Sequence, residues 1–307
     1  MSPLRQSLAD YLALRRALGY RLVRDEKLLA QFIGYLEELG EEHVTTEHAL
    51  AWATLPEGAD AWLSNRLCVV RGFATYLKAI DPATEVPSAG LLPRRPCRAT
   101  PYLYSEEQIA VLMRAAWTLS TPHRGATFST LIGALSVTGM RVGEAIGLGR
   151  SDIDWKAELL VVRNAKFGKS REVHLHPGTM QALRRYLHRR DRPRAPVKTE
   201  AVFVSAAGTR LRYPNVQCTF RLLLRRAGIE PRSASCRPRL HDLRHSFALR
   251  TMIDGYRDEG DVGPRLALLS TYLGHVEPGM TYWYLSAAPE LLGLAGDRLE
   301  RHLGARR

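Results

Sequence analysis

Hydrophobic and polar positions in the first third of the chain recur with the period of an α-helix. Gly19 and Gly40 supply stops for two of these stretches, and Asp81-Pro82 closes the last. The pattern predicts four short helices in a compact bundle: residues 8–18, residues from about 24 to 39, a helix starting at Thr45 or Thr46, and residues 61–80.

The composition changes abruptly between residues 86 and 101. This stretch combines four prolines with three arginines: Pro87, Pro93, Pro96, Pro101, Arg94, Arg95 and Arg98. Such a sequence can neither continue a helix nor join a central strand, which favours an extended, basic linker. Because 307 residues exceed the usual size of one core, we predict a helical domain at 1–85, a linker at 86–101 and a second domain at 102–307.

One region of the second domain has strand character. The β-prone runs 159–162 and 171–175 flank a lysine-rich stretch at 164–170 and predict a hairpin or a three-stranded sheet. Ser105 opens a helix in capping-box style, with Gln108 three positions later. Further helices are predicted at 142–148, 179–189, 213–228, 241–255 and 265–273. The fold class is therefore mainly α with a small antiparallel β-sheet (α+β).

The charge is strongly basic and unevenly distributed. Lys and Arg number 44 against 31 acidic residues, a formal net charge of +13. Residues 1–99 hold 12 basic and 12 acidic side chains, which leaves 32 basic against 19 acidic in residues 100–307. The excess favours a polyanionic partner, either nucleic acid or an anionic membrane surface.

Cysteine spacing and the N-terminal sequence bear on whether the protein binds zinc, forms disulfides or enters a membrane. The four cysteines show no C-x-x-C spacing, so neither a zinc ribbon nor a disulfide framework is indicated. The N-terminus has no apolar signal region, and no stretch approaches the roughly 20 apolar residues that cross a bilayer. We expect a cytoplasmic protein that does not enter the membrane.

Two sequence fragments carry candidate phosphate chemistry. TGMRVGE at 138–144 places Arg141 at a turn into a predicted helix, and HDLRH at 241–245 places His241 and Arg244 three apart on one helix face, with His245 on that face as well. Cutting a phosphodiester without metal requires a nucleophile, donors for the non-bridging oxygens and a proton donor. Arginine suits the second task because its charged, planar fork bonds two oxygens at once.

With two later features, these fragments resemble the tyrosine recombinase (phage integrase) family over roughly residues 102–290. The features are LGH at 273–275 and Tyr284, nine positions after His275. In that family an arginine in a T-G-x-R-x-x-E context, a hairpin lysine, an H-x-x-R segment, an L-G-H segment and a tyrosine form the active site. The resemblance implies that Arg141 and Arg244 hold the scissile phosphate, that His241 and His275 bond and orient it, and that Glu144 supports the arginine.

The same resemblance assigns the proton donor and the nucleophile. Lys166 would protonate the leaving 5′-oxygen, with Lys169 as a rival, and both lysines could instead only contact phosphates. Spacing from His275 selects Tyr284 as the nucleophile over Tyr282. The Leu-Ser-Ala that follows Tyr284 departs from the family's frequent x-His pattern.

The implied function is that of a site-specific DNA recombinase or integrase. It would clamp duplex DNA, pass through a 3′-phosphotyrosyl intermediate and exchange strands through a Holliday junction, with no nucleotide cofactor and no metal. The N-terminal domain would be the family's core-binding, DNA-binding domain. We expect a tetramer on two DNA sites, and the amphipathic stretch 289–303 would either dock on a neighbouring subunit or pack on its own domain.

Three alternatives remain open from the residues. A DNA-binding protein without chemistry explains the charge and the helices, but gives no reason for the position of Tyr284. A type IB topoisomerase shares the chemistry but rejoins the original strand. A metal hydrolase would use His241, His245 and His275 as zinc ligands, although no Glu lies between the first two and Arg244 would place a cation beside the metal.

Overall fold

The computed structural model describes residues 2–93, 99–163, 170–192, 197–257 and 262–274, together with positions 279, 293, 294, 296, 297, 300 and 301. The chain divides into two compact units, Met1–Arg98 and Ala99–Arg307. Among the described residues, no helix is both long enough and apolar enough to cross a membrane.

The first unit is built from the predicted helices. They are α1 (Pro3–Ala17), α2 (Val23–Leu39), α3 (Thr46–Thr54) and α4 (Asp60–Leu77). Gly40 ends α2 in the left-handed conformation, and the Thr45 hydroxyl caps α3 by accepting the backbone N–H of His48 at 3.1 Å. The first helix starts five residues before the predicted position because Ser2 caps it and Pro3 occupies its first position.

One apolar core holds the four helices together. Phe32 and Ile33 of α2 and Phe73 of α4 are fully buried in it, and α1 and α3 also contribute buried residues. Arg66 lies over the Trp52 ring at 3.7 Å and donates to the Trp52 carbonyl at 2.7 Å. Burial of these large side chains is the main stabilising contribution to a bundle of this size.

Part of the predicted linker packs on the first unit. The Arg71 guanidinium donates to the carbonyls of Pro87 and Ser88, both at 2.7 Å, and Leu92 packs against the helical core. Residues 94–98 of the linker lie outside the described residues. Residues 86–92 are therefore an irregular segment laid along the bundle.

The second unit is larger and also mostly helical. Its helices are α5 (Glu106–Ala116), α6 (Pro122–Thr138), α7 (Val142–Gly147), α8 (Pro177–Arg190), α9 (Tyr213–Arg226), α10 (Asp242–Arg257) and α11 (Val262–Leu273). The predicted capping box at α5 is confirmed, since Ser105 and Gln108 each accept from the other's backbone N–H. The main core of the unit includes residues of α5 to α9 and of the sheet, while α10 and α11 form a smaller core of their own.

A small antiparallel sheet interrupts the helices. Its strands are β1 (Ile153–Asp154), β2 (Leu159–Val162) and β3 (Arg171–His174), hydrogen-bonded in that order. Leu160 lies opposite Ile153 on one side and Val173 on the other, which places three buried side chains on one face. The predicted fold class is confirmed, and the sheet has three strands. The lysine-rich tip at 164–169 lies outside the described residues.

Candidate active site

The junction of α6 and α7 sets the position of Arg141. Helix α6 ends at Gly139, whose φ of +58° is in the left-handed region, and Arg141 is the N-cap residue of α7. A Cβ at position 139 would overlap Cδ1 of Phe247, so a side chain fits there only if that ring moves. The Glu144 carboxylate accepts the Arg141 backbone N–H and the Arg141 Nη1, each at 2.8 Å. This pairing fixes both the start of α7 and the guanidinium.

The start of α10 supplies two more candidate residues. This helix begins at Asp242, one residue later than predicted, because the Asp242 carboxylate accepts the backbone N–H and the guanidinium of Arg239 and so closes a separate turn, at 239–242, just before the helix. His241 therefore precedes the helix. Its carbonyl still accepts the Arg244 N–H at 3.1 Å, so the predicted proximity of the two residues holds.

The two residues differ greatly in exposure. Arg244 is 2% exposed, whereas His241 reaches the surface. The His241 ring packs edge-to-face on His245, with ring centroids 4.9 Å apart. Within the described residues, no group of three or more His, Cys, Asp or Glu side chains is placed to hold a metal ion.

Three arginines from different elements converge on the carboxyl end of α11. Arg171 of β3 donates through Nε to the Tyr272 carbonyl at 2.8 Å, and Arg244 of α10 donates through Nη2 to the Leu273 carbonyl at 2.7 Å. Arg141 reaches the Gly274 carbonyl at 3.5 Å. The last carbonyls of a helix carry partial negative charge, which cations stabilise. Three successive carbonyls are thus each matched with one guanidinium.

The pKa values of Glu144 and His241 are both lowered beside this cluster of arginines, which favours the charged form of Glu144 and the neutral form of His241. Burial raises the pKa of the Glu144 carboxyl, but hydrogen bonds from Arg171 and from the Arg141 backbone outweigh it and lower the pKa to about 2. The surrounding protein displaces water from His241 and lowers its pKa, Arg244 and Arg141 lower it further, and Asp242 acts in the opposite direction. Glu144 is therefore ionised and His241 is biased towards its neutral form.

The structure brings three of the six candidate residues together. Arg141, His241 and Arg244 come from two separate segments and lie within electrostatic reach of one another. Lys166, His275 and Tyr284 lie outside the described residues. Two guanidinium groups beside an imidazole form a site suited to an anion with several oxygens, such as a phosphodiester.

Sequence reasoning missed Arg171. Its side chain is 12% exposed and pairs with Glu144, with Nη2 to Oε2 at 2.8 Å. A single arginine at the start of a strand, outside the motif fragments, carries no local signal of this contact. The residue that could have pointed to such a contact is Glu144, because a buried carboxylate needs donors and positive charge around it.

Comparison with known proteins places this fold and site in a family. The model of the phage integrase family matches residues 103–290. Over 309 residues and 98% of both chains, the protein is 44% identical to one from Sinorhizobium fredii (strain NBRC 101917 / NGR234) named "Putative integrase/recombinase y4rB". It is also 28% identical over 297 residues, covering 91% of both chains, to tyrosine recombinase XerD of Mycobacterium tuberculosis (strain ATCC 25618 / H37Rv).

Solved structures share the fold. The Tn1549 transposon integrase in complex with transposon right end DNA superposes with a TM-score of 0.67 over 98% of this chain and 99% of that chain, at 16% identity. The XerH site-specific recombinase in its post-cleavage complex with a palindromic difH substrate gives a TM-score of 0.59 over 89% and 78%, at 20% identity. At such identities the likeness concerns the fold.

The family model therefore lies within the second unit, the one that carries the three arginines. The chain belongs to the phage integrase family, the tyrosine recombinases, and is an enzyme of site-specific recombination.

Proposed function

We propose that this protein cuts and rejoins duplex DNA at specific sites through a covalent 3′-phosphotyrosyl intermediate. The supporting observation is that Arg141 and Arg244 meet at the carboxyl end of α11 and that His241 lies within electrostatic reach of both. His275 is the residue that follows this end in the sequence, and Tyr284 lies nine positions further on.

The chemistry follows from the charges that develop during the reaction. The phenolic oxygen of Tyr284 attacks phosphorus and passes its proton to a histidine beside it. The bond from phosphorus to the 5′-oxygen breaks, and Lys166 gives its proton to that oxygen. Arg141 and Arg244 stabilise the charge on the non-bridging oxygens, while His241 and His275 hydrogen-bond the phosphate. The 5′-hydroxyl of a partner duplex then displaces the tyrosine, so the ester conserves the bond energy between the two steps.

The partner is duplex DNA. Solved relatives of this fold are complexes with transposon end DNA and with a difH substrate. The first unit would be the core-binding domain and the second the catalytic domain. Exchange between two duplexes needs one active site for each of four strands, and we therefore propose a tetramer on two sites.

Trapping on a nicked duplex tests the proposal. Wild-type protein incubated with its target duplex, nicked beside the scissile phosphate, is expected to yield a protease-resistant peptide containing Tyr284 bonded to DNA. Tyr284→Phe should bind the duplex and form no adduct, because it lacks the phenolic oxygen.

Tyr282→Phe is the matched control and should retain the adduct. Loss of the adduct in Tyr282→Phe alone would reassign the nucleophile. No adduct with the wild-type protein would contradict the proposed chemistry. Religation of the original strand without exchange between two duplexes would favour the topoisomerase alternative.

A further inference from the structure

We propose that Arg171 is a positioning residue of this site, which holds the carboxyl end of α11 in place relative to Arg141. This inference rests on the proposed function, because its effect is read through DNA cleavage. Arg171 acts through other groups, since its contacts are to Glu144 and to the backbone of α11.

The guanidinium of Arg171 uses all three of its nitrogens in hydrogen bonds. Nη1 and Nη2 of Arg171 donate to the two carboxylate oxygens of Glu144 at 3.1 and 2.8 Å, which is a bidentate pair. The third position, Nε, donates to the Tyr272 carbonyl at 2.8 Å. One planar group thus connects β3 to α7 on one side and to α11 on the other.

The end of α11 lies close to the guanidinium of Arg171. Gly274 has φ of +70°, and a Cβ there would lie 3.2 Å from Nη1 of Arg171. The helix end therefore rests directly on the guanidinium. A displaced Arg171 would leave the turn at Leu273 and Gly274 without this support, and His275 follows that turn in the sequence.

Arg171 and Arg141 share the Glu144 carboxylate. The same carboxylate accepts Nη1 of Arg141 at 2.8 Å, so the orientation of Arg141 depends on where Arg171 holds Glu144. With its side chain only 12% exposed, Arg171 offers little surface to DNA. Its loss should therefore misplace the phosphate ligands and leave DNA affinity nearly unchanged.

Arg171→Lys tests this role because it retains the charge and removes the fork. We expect the single-turnover rate of adduct formation on saturating nicked duplex to fall about 100-fold, as for other small misplacements of catalytic groups. The Kd for the duplex, measured by fluorescence anisotropy in the Tyr284→Phe background, should change by less than about threefold. Glu144→Gln, which breaks the same link from the other side, should give the same separation of rate from affinity.

Non-additivity and a matched control separate positioning from general stability. If both residues act through one link, Arg171→Lys/Glu144→Gln should lose no more rate than the more severe single variant. The control is Arg190→Lys, which alters another buried arginine that donates to a backbone carbonyl, that of Thr199 at 3.1 Å. It should retain the wild-type rate below its melting temperature, even if that temperature falls.

Three results would overturn the inference. They are a wild-type rate in Arg171→Lys, a Kd that weakens in proportion to the rate, and an equal loss of rate in Arg190→Lys. Absence of the adduct in the wild-type protein would instead overturn the proposed function. Normal wild-type cleavage with an unaffected Arg171→Lys would overturn this inference alone.

Discussion

Glu144 is a carboxylate kept ionised in a buried position by two arginines. Its side chain is 8% exposed and pairs with Arg141 and Arg171, each at 2.8 Å. A carboxylate taken out of water costs free energy unless donors surround it, and the hydrogen bonds of this site lower its pKa to about 2 in spite of burial. The ion pairs thus make folding of the second unit dependent on pH.

Glu144→Gln should lower stability in a pH-dependent way. A carboxyl whose pKa falls from 4.5 to about 2 on folding contributes stability above pH 4.5, and this contribution is lost as the pH falls towards 2. The free energy of unfolding in urea should therefore differ between wild type and variant by about 3 kcal/mol near pH 7, with the difference shrinking below pH 4.5.

The control for this prediction is Glu172→Gln, which alters an exposed carboxylate on β3. It should change the unfolding free energy by less than about 0.5 kcal/mol at any pH. A difference between wild type and Glu144→Gln that stayed constant from pH 7 to pH 2.5 would show that packing, and not ionisation, is what Glu144 contributes.

At the scale of single residues, the sequence predicts contacts that lie within motifs and misses those between distant segments. Glu144 accepts from Arg141 three positions before it, as the T-G-x-R-x-x-E fragment suggests, and Arg244 donates its backbone N–H to the carbonyl of His241, three positions before it. Arg171 is 27 positions from Glu144, and its partner follows only from the packing of β3 beside α7.

At the scale of elements, amphipathic helices were predictable and buried ones were less so. Helical patterning covers the second domain outside the sheet region and so includes α6, but it gives that helix no bounds. Most residues of α6 are buried, and small polar residues such as Thr127, Ser129 and Ser136 lie among the apolar ones. A helix covered on nearly all sides shows no apolar stripe, so periodicity does not mark where it begins and ends.

The end of α6 is also the element that places Arg141. Gly139 has a left-handed backbone, and Phe247 of α10 and Leu273 of α11 lie close to where its Cβ would be. Its carbonyl accepts Nη1 of Arg244 at 2.8 Å. The glycine therefore joins the ends of three helices at the site, and a side chain there would separate them.

Gly139→Ala should destabilise the second unit by about 3 kcal/mol, of which about 1 kcal/mol is the left-handed backbone and the rest is overlap with Phe247. Gly228→Ala is the matched control, because Gly228 has φ of +64° and nothing within 4 Å of the added Cβ. It should cost only about 1 kcal/mol. Equal losses in urea unfolding would mean that Phe247 moves aside freely.

At the scale of the whole molecule, charge is divided between the two units. The first unit is balanced, and the excess of basic side chains lies in the second, where 32 basic residues face 19 acidic ones. The second unit also carries Arg141 and Arg244, which we propose to bind the scissile phosphate. Electrostatic attraction of DNA should thus be concentrated on the second unit.

Affinity for DNA should therefore fall steeply with salt. Each phosphate that the protein neutralises contributes about 0.9 to the slope of log Kd against log salt concentration, and a site-specific clamp that contacts 6 to 10 phosphates should give a slope of about 5 to 9. The measurement is fluorescence anisotropy of a labelled duplex from 50 to 300 mM KCl, using Tyr284→Phe to prevent cleavage. Melting temperatures over the same range control for unfolding. A slope below about 2 with an intact fold would mean that few phosphates are contacted, and the basic excess of the second unit would then need another explanation than DNA binding.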